Sequence, residues 1–213
     1  MLAHHPAADR NGTGADNKVC IARIAVFCDQ LDEARKRLEH WGSDPITEHA
    51  SMKLEDQPAT FESMFMESVD VTRGLGFGHY DVESVWSNAP SKTVSALMNT
   101  FVESPSHKTH VVISPRAIRQ RLEESAFSRI GRAFIGCYSV WDDAADSDRN
   151  FEFTRRILAD IKPSSVGGYI NETDAFRDPE RARSAFSNSA WRRLGKLRSK
   201  YDPGGLFANF PGV

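Results

Sequence analysis

The amino-acid sequence predicts a single-domain α+β protein, and three observations carry that reading. Short runs rich in β-branched and aromatic residues, such as Val19–Phe27 and Phe134–Trp141, alternate along the chain with stretches whose apolar residues recur every three or four positions. The 213 residues suffice for one sizeable core and would crowd two. No internal repeat or low-complexity stretch marks a linker. The expected division is a disordered leader over residues 1–18 and one folded domain over residues 19–213.

Composition narrows the function classes. Apolar residues at 40%, charged residues at 26% and a formal net charge of -2 describe an ordinary globular chain without the field that nucleic acid demands. No nucleic-acid partner is expected. Cys20, Cys28 and Cys137 form neither a C-x-x-C pair nor a cluster with histidine, so neither a disulfide framework nor a metal site is expected. No run reaches the roughly 18 apolar residues of a membrane span, and residues 1–18 lack the apolar segment of a signal peptide. The expectation is a cytoplasmic protein without a membrane partner.

Each element has a local reason. Asp9, Asn11, Gly12, Asp16 and Asn17 make the leader polar, and His4 and His5 read as solvated rather than as metal ligands. Val19–Phe27 fits a strand buried on both faces. Leu31, Ala34, Leu38 and Trp41 share one face of a helix that Asp29 caps, Gly42 ends and the sheet receives. Pro58 suits the first turn of a helix reaching Met66, with Phe61, Met64 and Phe65 on one side.

Gly74, Gly76 and Gly78 alternate, yet no strand precedes them and no Gly-x-Gly-x-x-Gly or Gly-Lys-Ser/Thr ending follows. They read as a turn into a strand over residues 78–86 that carries Tyr80. Ser91 caps a helix presenting Val94, Leu97, Met98 and Phe101. His107–Ser114 is a strand ended by Pro115. On the Phe134–Trp141 strand, Phe134, Gly136, Tyr138 and Val140 alternate against Ile135, Cys137, Ser139 and Trp141.

Asp142, Asp143, Asp146 and Asp148 lack the order of a calcium loop and read as a solvated loop and helix cap. A helix over residues 148–162 turns Phe151, Ile157, Leu158 and Ile161 inward. A strand over Gly167–Asn171 follows. Asp178 and Pro179 open a helix that runs through Ala182, Ala185 and Phe186 to Trp191, Leu194 and Leu197, and the Pro203-Gly204-Gly205 turn closes it.

The last third carries a specific pattern. Gly167-Gly168-Tyr169-Ile170-Asn171-Glu172-Thr173-Asp174 is followed by Trp191-Arg192-Arg193-Leu194, Lys200-Tyr201-Asp202-Pro203 and Leu206-Phe207-Ala208-Asn209. In this order the pieces resemble the C-terminal end of berberine bridge enzyme-like FAD-linked oxidases, of the vanillyl-alcohol oxidase type superfamily. The likeness covers the substrate-binding domain, roughly Val19 to Pro211. It implies a broad antiparallel sheet with helices packed on one face, while the bare face roofs flavin and substrate. The FAD-binding domain of that family, with its glycine-rich phosphate loops and flavin-linked histidine, has no counterpart here. Departures lie at Pro115-Arg116-Ala117, where the family has Gly-Gly-Ala, at Ala126-Phe127-Ser128-Arg129-Ile130, where it has Ala-Phe-x-His-Arg, and at Gly205, where asparagine is usual.

The resemblance implies site residues. Tyr169 and Asn171, two apart on one strand, share a face. Tyr169 and Tyr138 are the catalytic candidates, Asn171 the cofactor contact, and Tyr80 and Trp141 the substrate contacts. A proton-taking tyrosine needs a neighbouring cation or second tyrosine to lower its pKa from about 10. Tyr138 and Trp141 lie on opposite faces of their strand, so Tyr138 is the one expected beside Tyr169. Glu172 and Asp174 are candidate bases or helix caps, and His79 and His110 read as structural.

The functional expectation is the substrate-binding part of a split FAD-linked oxidoreductase. It would oxidise a small organic substrate by hydride transfer to FAD held by a partner chain, this chain alone binding no cofactor. The partner is an FAD-binding-domain protein, or self-association occurs through the bare sheet face. The alternatives are a cofactor-free binding or non-redox protein that retains the fold, and a truncated fragment of a flavin oxidase.

Overall fold

The computed structural model describes residues 1–4, 18–66, 78–116 and 125–207. The chain forms two compact units, one of residues 1–20 with 77–213 and one of residues 21–76. The larger unit is a single α+β domain built on a six-stranded antiparallel sheet.

Its strands are β1 (Leu2–His4), β2 (Lys18–Cys20), β3 (His79–Ser87), β4 (His110–Pro115), β5 (Ala133–Trp141) and β6 (Ser165–Gly167), in the spatial order β2-β1-β4-β5-β3-β6. The two nine-residue strands β3 and β5 pair along their whole length, from His79 opposite Trp141 to Ser87 opposite Ala133. On the other side of β5, β4 sets His110 opposite Tyr138 and Ile113 opposite Ile135. Period-two alternation then sorts the side chains onto two faces.

One face is packed by helices α2 (Pro90–Val102) and α3 (Ser147–Ile161). Val85, Val111, Ile135 and Cys137 from the sheet meet Leu97 and Phe101 of α2 and Phe153, Ile157 and Ile161 of α3. Burying this set is the main stabilising term of the unit. Polar groups under α3 are satisfied: the Ser139 hydroxyl donates to Asn150 Oδ1 at 3.0 Å, and the Asn150 side-chain amide donates to the Asp146 carbonyl at 3.0 Å.

Nearer the β3 edge the same face carries two buried carboxylates. Arg181 donates to Glu83 Oε2 through Nε at 3.0 Å and Nη2 at 2.7 Å, and to the Ser84 carbonyl at 2.9 Å. Arg177 lies 3.4 Å from Asp81 Oδ2 and stacks on Phe151 with its guanidinium 4.1 Å from the ring centre. Burial pushes both carboxyls above their usual range, and the arginines oppose that rise.

The C-terminal part folds as α4 (Pro179–Ser184) and α5 (Asn188–Tyr201). The Asp178 carboxylate accepts from the Glu180 amide at the start of α4. The sequence predicts one continuous helix here, but Ser187 interrupts it, and its hydroxyl accepts from the Ala190 amide to cap α5. Asp202 ends α5 by accepting from the amides of Leu206 at 2.6 Å and Phe207 at 3.2 Å, across a turn in which Gly205 has φ +63°.

The smaller unit, described over residues 21–66, holds α1 (Leu31–Gly42), a 3-10 turn (Pro45–His49) and a helical turn at 61–66. Phe27 and Phe61 stack at 4.7 Å, and Arg35 pairs with Asp56 at 3.0 Å. The boundaries of α1 agree with the expected helix, but none of its residues is buried. Thr60 and Ser63 cap the turn at 61–66 reciprocally, in place of the expected start at Pro58.

Several other expectations change. Leu2–His4, expected in a disordered leader, pairs with both β2 and β4, and Leu2 is buried in the core. The apolar run from Val19 is a strand only as far as Cys20, and Ile21, Ile24 and Phe27 are exposed, since β2 finds a partner over three residues alone. Ser91 does not cap α2, which begins one residue earlier with Pro90 in its first turn. The strand predicted over Gly167–Asn171 ends at Gly167, and Ile170–Glu172 is a 3-10 turn. Residues 5–17, 67–77, 117–124 and 208–213, which include His5, Gly74, Gly76, Ala117 and Asn209, lie outside the described residues.

Candidate functional site

The sheet face turned away from α2 and α3 collects the aromatic residues the fold does not use in its main core. Trp86 of β3 and Phe134 of β5 meet edge-on at 5.5 Å, and Phe127 joins Trp86 at 5.7 Å. Tyr169 completes the cluster, 5.5 Å from Phe127 and 6.0 Å from Phe134. This part of the face is therefore not bare: Trp86 is 6% and Phe134 9% exposed. Arg129 holds the segment bearing Phe127 in place, donating to the carbonyls of Phe186 at 2.9 Å and Val166 at 3.1 Å.

Beside the aromatic cluster lies a polar group of side chains. The β4–β5 register stacks His110 flat on Tyr138, with ring centres 5.1 Å apart and planes 8° apart. Tyr138 donates its hydroxyl hydrogen to Glu172 Oε2. Asn171 donates its side-chain amide to the Tyr169 hydroxyl at 3.2 Å. The 3-10 turn at Ile170–Glu172 makes this possible, because it turns the chain so that Asn171 and Glu172 serve two different tyrosines. Gly136, next to Tyr138, allows close ring packing: a Cβ there would lie 2.9 Å from the Phe134 ring and 3.2 Å from that of Tyr138.

The electrostatics define what each group does. Burial, and then the hydrogen bond to and charge of Glu172, push the Tyr138 hydroxyl well above its ordinary value. Tyr138 is thus a neutral donor at physiological pH. At Tyr138 burial, and then the carboxylate beside it, act in the direction opposite to the cation or second tyrosine that a proton-taking tyrosine needs. Burial lowers the pKa of His110, against the hydrogen bond to the Lys108 carbonyl at 3.0 Å. A carbonyl only accepts, so Nδ1 carries the hydrogen and Nε2 keeps its lone pair.

The other sequence candidates divide. Tyr80 lies on the same sheet face as Tyr138, is 67% exposed and sits at the open end of β3. Trp141 is on the opposite face, 2% exposed, packed edge-on against Phe151 and donating Nε1 to the Ser147 hydroxyl at 3.1 Å. It belongs to the helix-packed side, and no bulge brings it round, since the β3–β5 register is unbroken. His110, Trp86, Phe127 and Phe134 were not among the sequence candidates. The parity of β3 and β5 carried the signal for Trp86 and Phe134, whereas the place of His110 depends on a register that sequence does not show.

Two buried polar atoms on this face lack a hydrogen-bond partner among the described residues, Ser84 Oγ and Trp86 Nε1. They are two apart on β3 and so share the face of the aromatic cluster. Both are closed off from the surface, so the polar groups on this face that could meet a flat ring system such as a flavin ring or an aromatic substrate are the exposed Asn171 amide and the half-buried Tyr169 hydroxyl. Nothing among the described residues suits the rest of a dinucleotide in the manner of a glycine-rich phosphate loop. Gly78, the described member of the glycine triplet, is instead closed in by the Trp141 carbonyl, 2.5 Å from where a Cβ would stand.

No protein-family model matches the chain, and no curated protein matches it. Solved structures do. CrmK, a flavoenzyme involved in shunt product recycling in caerulomycin biosynthesis, aligns at a TM-score of 0.63 with 18% identity, over 83% of this chain and 41% of its own. GilR, an oxidoreductase that catalyses the terminal step of gilvocarcin biosynthesis, aligns at 0.52 with 20% identity, over 63% of this chain and 33% of its own. A variant of BBE-like 1 from Physcomitrella patens aligns at 0.52 with 19% identity, over 63% and 30%. At these identities the likeness establishes a shared, flavin-oxidase-like fold. The chain spans less than half the length of each of these proteins.

Proposed function

We propose that this chain is the substrate-binding part of an FAD-linked oxidoreductase whose flavin is held by a partner chain. The observation that carries the reading is the Tyr138–Glu172 hydrogen bond, stacked on His110 and set beside Tyr169 and Asn171 on one face of a flavin-oxidase-like sheet. FAD, when bound, supplies the two-electron acceptor that no side chain can provide. The chain's own residues would bind and orient the substrate and handle its proton.

Glu172 is the acceptor in that scheme. A small organic substrate with a hydroxyl group would donate its O–H to the Glu172 carboxylate, displacing the contact from Tyr138. The neutral Tyr138 hydroxyl then donates to the substrate oxygen as its proton leaves. His110 fixes the plane of Tyr138 by stacking, and Asn171, with Tyr169, would face the flavin edge. Trp86, Phe127 and Phe134 form the apolar wall that excludes water.

Reconstitution tests this. The purified chain is mixed with an FAD-binding-domain protein of the berberine bridge enzyme type, and the flavin absorbance is followed through size exclusion and on addition of hydroxylated aromatic substrates. A yellow complex bleached by substrate is expected, with Glu172→Gln slowing bleaching by about 10²–10⁴-fold, the usual contribution of a positioned base. A colourless chain that never co-elutes with flavin would refute the reading. That outcome would support the second reading, a cofactor-free binding protein, which is favoured by the closed packing of Trp86, Phe134, Phe127 and Tyr169 over that part of the face.

A further inference from the structure

We infer that a second site, at the end of the sheet where β3 passes into α2, binds the diphosphate group of a small molecule. A cavity of about 780 Å³ opens there, and Lys92, Arg116 and Arg132 line it with Asn88 and Ser91. That volume lies within the range of small-molecule sites, roughly 300–1,000 Å³. Its lining includes three cations and no carboxylate.

Backbone pairing fixes how the cations stand together. The Arg116 amide donates to the Arg132 carbonyl at 2.7 Å, just beyond the paired ends of β4 and β5, so the two arginines leave adjacent strands side by side. The Arg132 amide donates to Asn88 Oδ1 at 3.2 Å, which ties that strand end to the turn ahead of α2. The Arg116 guanidinium rests over the Trp86 ring, 5.9 Å from its centre, which restricts its motion.

Other arginines of the larger unit, including Arg155, Arg156, Arg177 and Arg181, are ion-paired with described carboxylates. Among the described residues Lys92, Arg116 and Arg132 are not. Three like charges around one cavity repel one another, and a multiply charged anion relieves that repulsion. Two guanidinium forks and an ammonium suit tetrahedral phosphate oxygens, and two linked phosphates suit three cations better than one. This site stands apart from the proposed oxidase function and does not depend on it.

Calorimetric titration of the full chain with inorganic pyrophosphate at low ionic strength tests the inference, with ADP as a second arm. Saturable one-site binding is expected, weakening as salt is added. Arg116→Gln and Arg132→Gln should each weaken it by about tenfold or more, the loss of one charge-assisted hydrogen bond. Lys92→Gln, exposed on the first turn of α2, gives the same readout should an arginine variant fail to fold. Equal affinity for pyrophosphate and ADP assigns recognition to the diphosphate alone, and tighter ADP binding adds a nucleoside contact. The inference is overturned if pyrophosphate does not saturate, if Lys92→Gln and Arg132→Gln bind as the wild type does, or if neutralising Arg192 and Lys196 on α5 weakens binding as much. No flavin or substrate enters this titration, so its failure leaves the oxidase reading untouched.

Discussion

Replacing Arg181 with methionine should unfasten the segment that carries Glu172 from the sheet beneath it. The Arg181 side chain is 3% exposed and makes contacts with Glu83, Ser84 and Thr173, while the Thr173 hydroxyl donates to the same Glu83 oxygen at 2.7 Å. Truncation leaves the Glu83 carboxylate buried without its cation, a loss of about 3–5 kcal/mol. Against a total stability of about 5–15 kcal/mol that is a large fraction. With a urea dependence of about 1–3 kcal/mol/M, the unfolding midpoint should fall by about 1–5 M.

The cost should also depend on pH. Burial already raises the Glu83 carboxyl, and losing Arg181 removes the largest opposing influence. In the variant the penalty is absent below the unfolded value of about 4.3, then grows as pH rises through it toward the raised folded value. Combining Arg181→Met with Glu83→Leu removes both charges and should recover most of the loss. A single variant within about 1 kcal/mol of wild type, or a double variant as unstable as the sum of its parts, would refute the reasoning.

Three further outcomes are expected. Gly78→Ala drives a methyl against the Trp141 carbonyl at 2.5 Å and the Asp142 Cα at 3.0 Å, both backbone; a loss of about 1–3 kcal/mol should show as a melting temperature lowered by about 2–12 °C. Ile157→Ala in the wholly buried cluster under α3 should cost about 2–5 kcal/mol in denaturant titration, and a smaller loss would mean that the helix does not pack as described. His110 is held neutral by burial, so below the unfolded value of about 6.5 the unfolded chain binds a proton that the folded chain refuses. Wild-type stability should therefore fall as pH drops below that value, and stability measurements on His110→Gln should lack that component.

The sequence was most informative where periodicity was local. Along β5 the alternation of Tyr138 against Trp141 is the observed division between the two faces, and the buried faces of α2 and α3 lie where their apolar spacing puts them. It was least informative where pairing decides the outcome. Cys20 ends β2 because only three residues of β1 are available to pair with it, and Leu2 enters the core from a stretch whose neighbours are polar. At the site, Tyr169 and Asn171 do meet, but through a 3-10 turn rather than a shared strand face. The stacking of His110 on Tyr138 follows from the β4–β5 register, a long-range property that composition and spacing do not encode.

The three residues of β1 have a practical consequence. They sit between β2 and β4, so this short strand occupies the interior of the sheet rather than its rim. Trimming Met1 to His4 would strip β4 of a neighbour at Leu2, opposite Val111, and open a raw edge available to any passing strand. A rise in oligomer content on removing these residues would be the visible sign of an unsealed sheet.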